Sequence, residues 1–197
     1  MNHCAQFLAE TAKIAAHIDP LQIEELVKEL VALRERKGRL FLLGLGGSAA
    51  NCSHAVNDFR KLCDVDAFTP SDNVAELTAR ANDEGWENTF RDWLEASHIN
   101  DKDALFVLSV GGGHAEVSLP ITNALMSVYR KRIDAPKTRI FGIVGKTGGM
   151  TKIYGDCVIV IPTVNGSRVT PHTEGWQSVI LHCLVSHPNL QVNKTKW

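Results

Sequence analysis

The chain has 197 residues, with 44% hydrophobic and 22% charged side chains, the size and balance of one α/β domain able to bury a sizeable core. Its 21 Lys+Arg against 22 Asp+Glu give a formal net charge of −1, and without a long basic run there is no footprint for nucleic acid. No apolar run reaches the length of a membrane span, the N-terminus lacks the apolar core of a signal peptide, and five scattered cysteines without a Cys-x-x-Cys pair fit free thiols in a reducing cytoplasm.

Residues 2–17 predict an amphipathic helix with Phe7, Leu8, Ile14 and Ala15 on one side. Asp19 is placed to cap a second helix with Pro20 at its first position, and Ile23, Leu26, Val27, Leu30, Val31 and Leu33 then recur at helical spacing up to Gly38. These two helices either pack on the domain or serve as a surface for another copy. Leu40 to Leu43 is a fully apolar strand, followed by Gly44, Gly46 and Gly47 and an alanine-rich helix opening at Ser48. Strand, glycine turn and helix start together form an anion-binding device. On that helix His54 and Asp58 are four apart and share a face.

Ala67 to Thr69 predicts a short strand and residues 70–73 a turn, followed by a helix over 74–81 broken at 82–85 and a second helix from Trp86 to Ser97. Ala104 to Val110 is the next strong strand. Gly111-Gly112-Gly113 follows it at once, with a helix expected from His114 or Ala115 to Lys131. Arg139 to Val144 is a third strand with a glycine loop at 145–149, residues 150–154 a short helix, Cys157 to Ile161 a fourth strand, and Thr173 to Ser186 a final helix. Residues 187–197 read as a loosely held polar extension. Buried strands alternating with helices imply a doubly wound, mostly parallel sheet covered on both faces, with ligands beyond the carboxyl ends of the strands, where the glycine loops lie.

The pieces G-x-G-G-S-A-A at 44–50, His-x-x-x-Asp at 54–58, Ser71-Asp72, Leu77-Thr78-Ala79 leading to Asn82-Asp83, Ser109 with glycines after it, Gly145-Lys146-x-Gly-Gly, and Glu174 with His182 eight positions on resemble a sugar isomerase (SIS) domain. More narrowly they resemble the phosphoheptose isomerase group, over about residues 5–187. The resemblance implies one SIS domain over 1–197, with an N-terminal helical hairpin over 1–37, an α/β core over 38–187 and an extension over 188–197. It also implies proton transfer between the carbons of a sugar phosphate, and a cytoplasmic homotetramer or dimer that uses no nucleotide cofactor. The pathway it implies is supply of heptose to lipopolysaccharide or a related glycoconjugate.

The departures are specific. The family's phosphate loop, Ser-Thr-Ser-Gly-x-Ser, reads Ser-Val-Gly-Gly-Gly-His at 109–114, which removes hydroxyl donors and adds His114. Asp58 stands where the family has glutamate, and Glu174 where it has glutamine.

An aldose–ketose isomerase needs a base for the carbon proton, a shuttle for the hydroxyl proton and a stabiliser for the enediolate. Carried over by position, Asp58 and His182 are the catalytic pair. Gly46, Gly47, Ser48, Asn82, Asp83, Ser109, Gly111, Gly112, His114 and Glu174 are expected to contact substrate. Two imidazoles and two carboxylates suit zinc, and the resemblance implies a zinc site of His54, Asp58, Glu174 and His182. Each residue has a plainer alternative. His54 and His182 can be core or capping histidines, Ser48 and Ser109 helix caps, Asp83 a cap for the helix near Trp86, Lys146 a solvated loop residue, and His172, after Pro171, part of a turn. A non-catalytic SIS module that binds sugar phosphate or docks on a partner is the competing reading, favoured by the altered serine loop and opposed by the four retained donors.

Overall fold

A computed structural model describes residues 2–132 and 137–196. Within them the expected alternation of elements runs in chain order. Helices α1 (His3–His17) and α2 (Pro20–Glu35) precede strand β1 (Leu40–Leu43) and helix α3 (Gly47–Cys63). Strand β2 (Ala67–Phe68) is followed by α4 (Val74–Asp83) and α5 (Thr89–Ala96). Then come β3 (Ala104–Ser109), α6 (Leu119–Lys131), β4 (Arg139–Val144), α7 (Gly149–Tyr154), β5 (Cys157–Val160) and α8 (Val169–Val185). The strands form one sheet in the order β2-β1-β3-β4-β5, and every pairing is parallel.

Period-2 alternation divides the core. Leu40 and Leu42 of β1, Phe106 and Leu108 of β3, and Phe141 and Ile143 of β4 face one side, where they pack with residues of α2, α3 and α8. Phe41, Leu43, Leu105, Val107 and Ile140 face the other side and meet Phe90, Trp93 and Leu94 of α5 and Ile121, Ala124, Leu125 and Val128 of α6. Such two-sided cover is what a parallel sheet requires. Burial also pushes the Cys63 thiol up to about 12 and the Cys157 thiol up to about 11, which keeps both protonated and inert. Among the described residues no helix is long and apolar enough to cross a membrane.

Several boundaries differ from the sequence reading. Helix α6 begins at Leu119, not at residue 114 or 115, because Pro120 lies in its first turn and a proline ring clashes with the carbonyl four residues back. The helix expected from Trp86 to Ser97 is a 3-10 turn, Trp86–Asn88, leading into α5. Helix α4 extends through Asp83, which ends this helix and does not cap the next one. Helix α8 begins four residues earlier than expected, at Val169; Pro171 sits in its first turn, where no intrahelical donor is lost, so His172 is helical and not in a turn. The C-terminal segment is tied down rather than loose: Arg34 donates to Leu190 O, the amides of Val192 and Asn193 donate to Leu62 O, and Leu190 is fully buried. Met1 and Trp197, the ends of the single-domain division, lie outside the described residues.

The N-terminal helices divide their work. Helix α2, capped by Asp19 as expected, packs Leu26, Val27, Leu30 and Leu33 into the core against β5 and α8. Helix α1 buries only Glu10 and Ile14; Leu8 is 68% exposed and Ala15 is also exposed, contrary to the expected apolar face. Charge turns the helix. The Glu10 carboxylate accepts from Arg168 Nη1 at 3.0 Å, Asn165 Nδ2 at 2.8 Å and His172 Nε2 at 2.9 Å, while Phe7 stacks on the His172 ring with centroids 4.4 Å apart.

The His172 and Asn165 hydrogen bonds, with Arg168 behind them, hold the Glu10 carboxyl down at about 2, well below its ordinary 4.5. A depressed carboxylate contributes stability that is complete above the unfolded value and is lost as pH falls through the folded one. The native chain is therefore expected to lose stability between pH about 4.5 and about 2 more steeply than Glu10→Gln. Acid titration followed by circular dichroism checks this, and superimposable curves would contradict it.

Candidate active site

Helices α3 and α8 run side by side and carry the polar groups. Asn51 of α3 donates its side-chain amide to Glu174 O at 2.9 Å and to Gln177 Oε1 at 3.0 Å. Gln177 is fully buried and reaches Ile143 O of β4 at 3.4 Å. These bonds fix α8 against α3 and against the sheet. Neither Asn51 nor Gln177 was among the expected site residues, although Asn51 lies one turn before His54.

Two turns along this pair, His54, Asp58 and His182 converge. Asp58 Oδ2 lies 3.2 Å from His54 Nε2 and 3.8 Å from His182 Nε2, and the two Nε2 atoms are 3.4 Å apart. One donor atom from each of the three residues lies within 4.8 Å of the others. Both histidines are exposed and Asp58 is half-buried, so the cluster opens to solvent across a shallow cleft lined also by Ala55, Ser178 and Leu181. The apolar-interior alternative for His182 does not hold, since its ring stands edge-on to His54.

Glu174 is not part of this cluster. Eight residues along one helix amount to a rise of about 12 Å, and that rise sets Glu174 apart from His182. Its carboxylate instead lies against the first glycine loop: a methyl at Gly47 would stand 2.5 Å from Glu174 Oε2. A side chain at 47 would therefore push the Glu174 carboxylate out of the place it occupies. The four expected metal donors therefore separate into a group of three and a carboxylate at the loop.

The remaining expected contacts are also distributed. Gly46 is the N-cap of α3, with no side-chain cap, and Gly47 and Ser48 follow in its first turn, where amides have no intrahelical acceptor. Ser48 is 2% exposed and is not the cap. At the second loop the Ser109 hydroxyl, itself buried, accepts the Gly112 amide at 3.0 Å. Gly112 O accepts from the Thr151 amide and hydroxyl, both at 2.8 Å, so this loop is pinned to the start of α7 and the Gly112 amide is turned inward. Gly111 stays open: a methyl added there would meet nothing within 4 Å. His114 is exposed and its Nδ1 accepts the Glu116 amide at 3.3 Å. Asn82 and Asp83 bond each other at the exposed end of α4, and among the described residues no hydrogen bond or ion pair joins them to the glycine loops. Lys146 is exposed on its loop.

The fold and this pair of glycine loops define a class. The chain has the SIS-type fold of the phosphoheptose isomerase structure from Neisseria gonorrhoeae, with a TM-score of 0.77 and 18% identity over 92% of this chain and 95% of that one. The Francisella tularensis phosphoheptose isomerase aligns with a TM-score of 0.76 and 19% identity over 94% and 97%.

Sequence narrows the class. The chain is 29% identical to the phosphoheptose isomerase of Trichlorobacter lovleyi over 188 residues, 93% of this chain and 86% of the relative. It is 25% identical to that of Helicobacter pylori over 186 residues, 91% and 90%. The resemblance drawn from the motifs thus holds along nearly the whole chain. No family model matches it.

Proposed function

We propose that this protein is a sugar-phosphate aldose–ketose isomerase that interconverts sedoheptulose 7-phosphate and a heptose 7-phosphate through an enediol. The similarity to phosphoheptose isomerases over most of the chain supports the substrate. The observation that carries the chemistry is the convergence of His54, Asp58 and His182 on the helix that opens at the first glycine loop.

Two imidazole nitrogens and one carboxylate oxygen within 4.8 Å of one another are a donor set that suits zinc with an open position. His54, Asp58 and His182 would hold the ion, and when bound it would polarise a carbonyl oxygen and stabilise the enediolate. The protein's own groups do the rest. Asp58 lies against both imidazoles, His182 completes the donor set from α8, and one proton passes between the two substrate oxygens beside them. The open Gly111 amide and exposed His114 receive the phosphate, replacing the hydroxyl donors of the serine loop.

The cluster and the glycine mouth of one chain are a helix rise of about 12 Å apart. The cluster faces solvent, as do Val179 beside it on α8 and Leu8 and Leu21 on α1 and α2. We place the protein in the cytoplasm, and this arrangement supports a homo-oligomer in which the cluster of one copy serves the glycine mouth of another. Equilibrium dialysis against zinc tests the metal: uptake is expected for the native chain and loss of uptake for His54→Ala, whereas equal uptake by the two would remove the site.

A further inference from the structure

We infer that Glu174, rather than Asp58, is the base that takes the proton from the substrate carbon, an assignment that rests on the isomerase reading above. What each carboxylate already holds separates them. Asp58 Oδ1 accepts the Asn57 side-chain amide at 3.0 Å, and Oδ2 is shared by His54 at 3.2 Å and His182 at 3.8 Å. Both Asp58 oxygens are thus already engaged by neighbouring side chains of α3 and α8. Among the described residues no hydrogen bond or ion pair reaches a Glu174 carboxylate oxygen; the bond from Asn51 goes to its backbone carbonyl.

That free carboxylate is also positioned. Asn51 and Gln177 tie its stretch of α8 to α3 and β4, and Gly47 clears the space in which it lies. It stands over the N-terminus of α3, the end of a helix that favours negative charge, at the mouth of the first glycine loop. Asp58 lies on α3 nearly three turns further on, at the cluster. Glutamate at 174, in place of the family's glutamine, and the shorter aspartate at 58 are then two halves of one change: the carbon base has moved to α8.

In the ketose-to-aldose direction Glu174 takes one proton from carbon 1. The electrons of that C–H bond form the C1=C2 double bond, and the carbonyl oxygen on carbon 2 becomes the enediolate oxygen, which takes up a proton. The protonated Glu174 then delivers its proton to carbon 2. The hydroxyl on carbon 1 loses its proton and becomes the aldehyde oxygen. One proton moves between carbons and one between oxygens, so the step needs no oxidant or reductant.

The test follows turnover of sedoheptulose 7-phosphate and wash-in of solvent deuterium at carbon 1 by NMR, for the native protein and for Glu174→Gln and Glu174→Asp. A positioned general base accounts for roughly 100- to 10,000-fold in rate. Glu174→Gln is therefore expected to lose about 100-fold or more in kcat, with wash-in lost in parallel and KM within about threefold. Glu174→Asp, which keeps the charge but shortens the reach, should retain measurable wash-in. Should Glu174→Gln fail to fold, as judged by its melting curve, the aspartate variant decides: native-like rates in it would overturn the assignment. Wash-in and kcat of Glu174→Gln within about threefold of native would overturn it as well, since glutamine cannot act as the base. Absence of turnover and wash-in in the native protein would instead bring down the isomerase reading, and this assignment with it.

Discussion

Asp58→Asn and His182→Asn are each expected to lower isomerase turnover by about 100-fold or more and to weaken zinc uptake. Asp58 is the only acid in contact with both imidazoles of the cluster among the described residues, and His182 brings the α8 side of the cluster to His54. The fold should not notice either change. The His54 and His182 side chains are 54% and 55% exposed, and exposed pairs of this kind contribute on the order of 0–1 kcal/mol. Melting temperatures close to native, combined with collapsed kcat, are the predicted pattern. Native turnover in both variants would remove the cluster from the mechanism.

Gly112→Ala is expected to be the most destabilising small substitution in the site. Gly112 has φ +70, and a methyl there would stand 1.9 Å from Gly148 O, a backbone atom that cannot swing aside. Left-handed strain and overpacking each cost about 1–3 kcal/mol. Together they predict a loss of about 3 kcal/mol or more, and for a chain of this size a melting temperature lower by roughly 6–12 °C. The loop sits between β3 and α7 through Ser109 and Thr151, so its displacement would also move Gly111, the proposed phosphate contact. A melting curve of Gly112→Ala matching the native one would show that the two glycine loops are not packed together as described.

The sequence carried the sheet because its strands are uninterrupted apolar runs, and their glycine loops marked which end the site occupies. Asp19-Pro20 marked the start of α2 by local chemistry alone. What was hidden depended on partners distant in the chain. Nothing near Glu10 announces that Arg168, Asn165 and His172 will draw it inward, so the apolar face of α1 was misread from Leu8 and Ala15. The start of α6 was legible in Pro120, but the glycine run before it drew the helix too early. For the site, the spacing of His54 and Asp58 was read from one helix, and their meeting with His182 needed only that α3 and α8 lie together. Glu174 and His182 were grouped as ligands by their match to positions of the resembled family. The rise along the helix, about 12 Å for eight residues, is what parts them, and it puts Glu174 beside Gly47 instead.

The most direct measurement is an NMR time course of the protein with sedoheptulose 7-phosphate, run with added zinc and again with a chelator. An isomerase with a zinc-binding cluster is expected to give aldose signals that grow in with zinc and slow sharply with chelator. A ketose spectrum that stays unchanged under both conditions, with the protein folded, would contradict that reading.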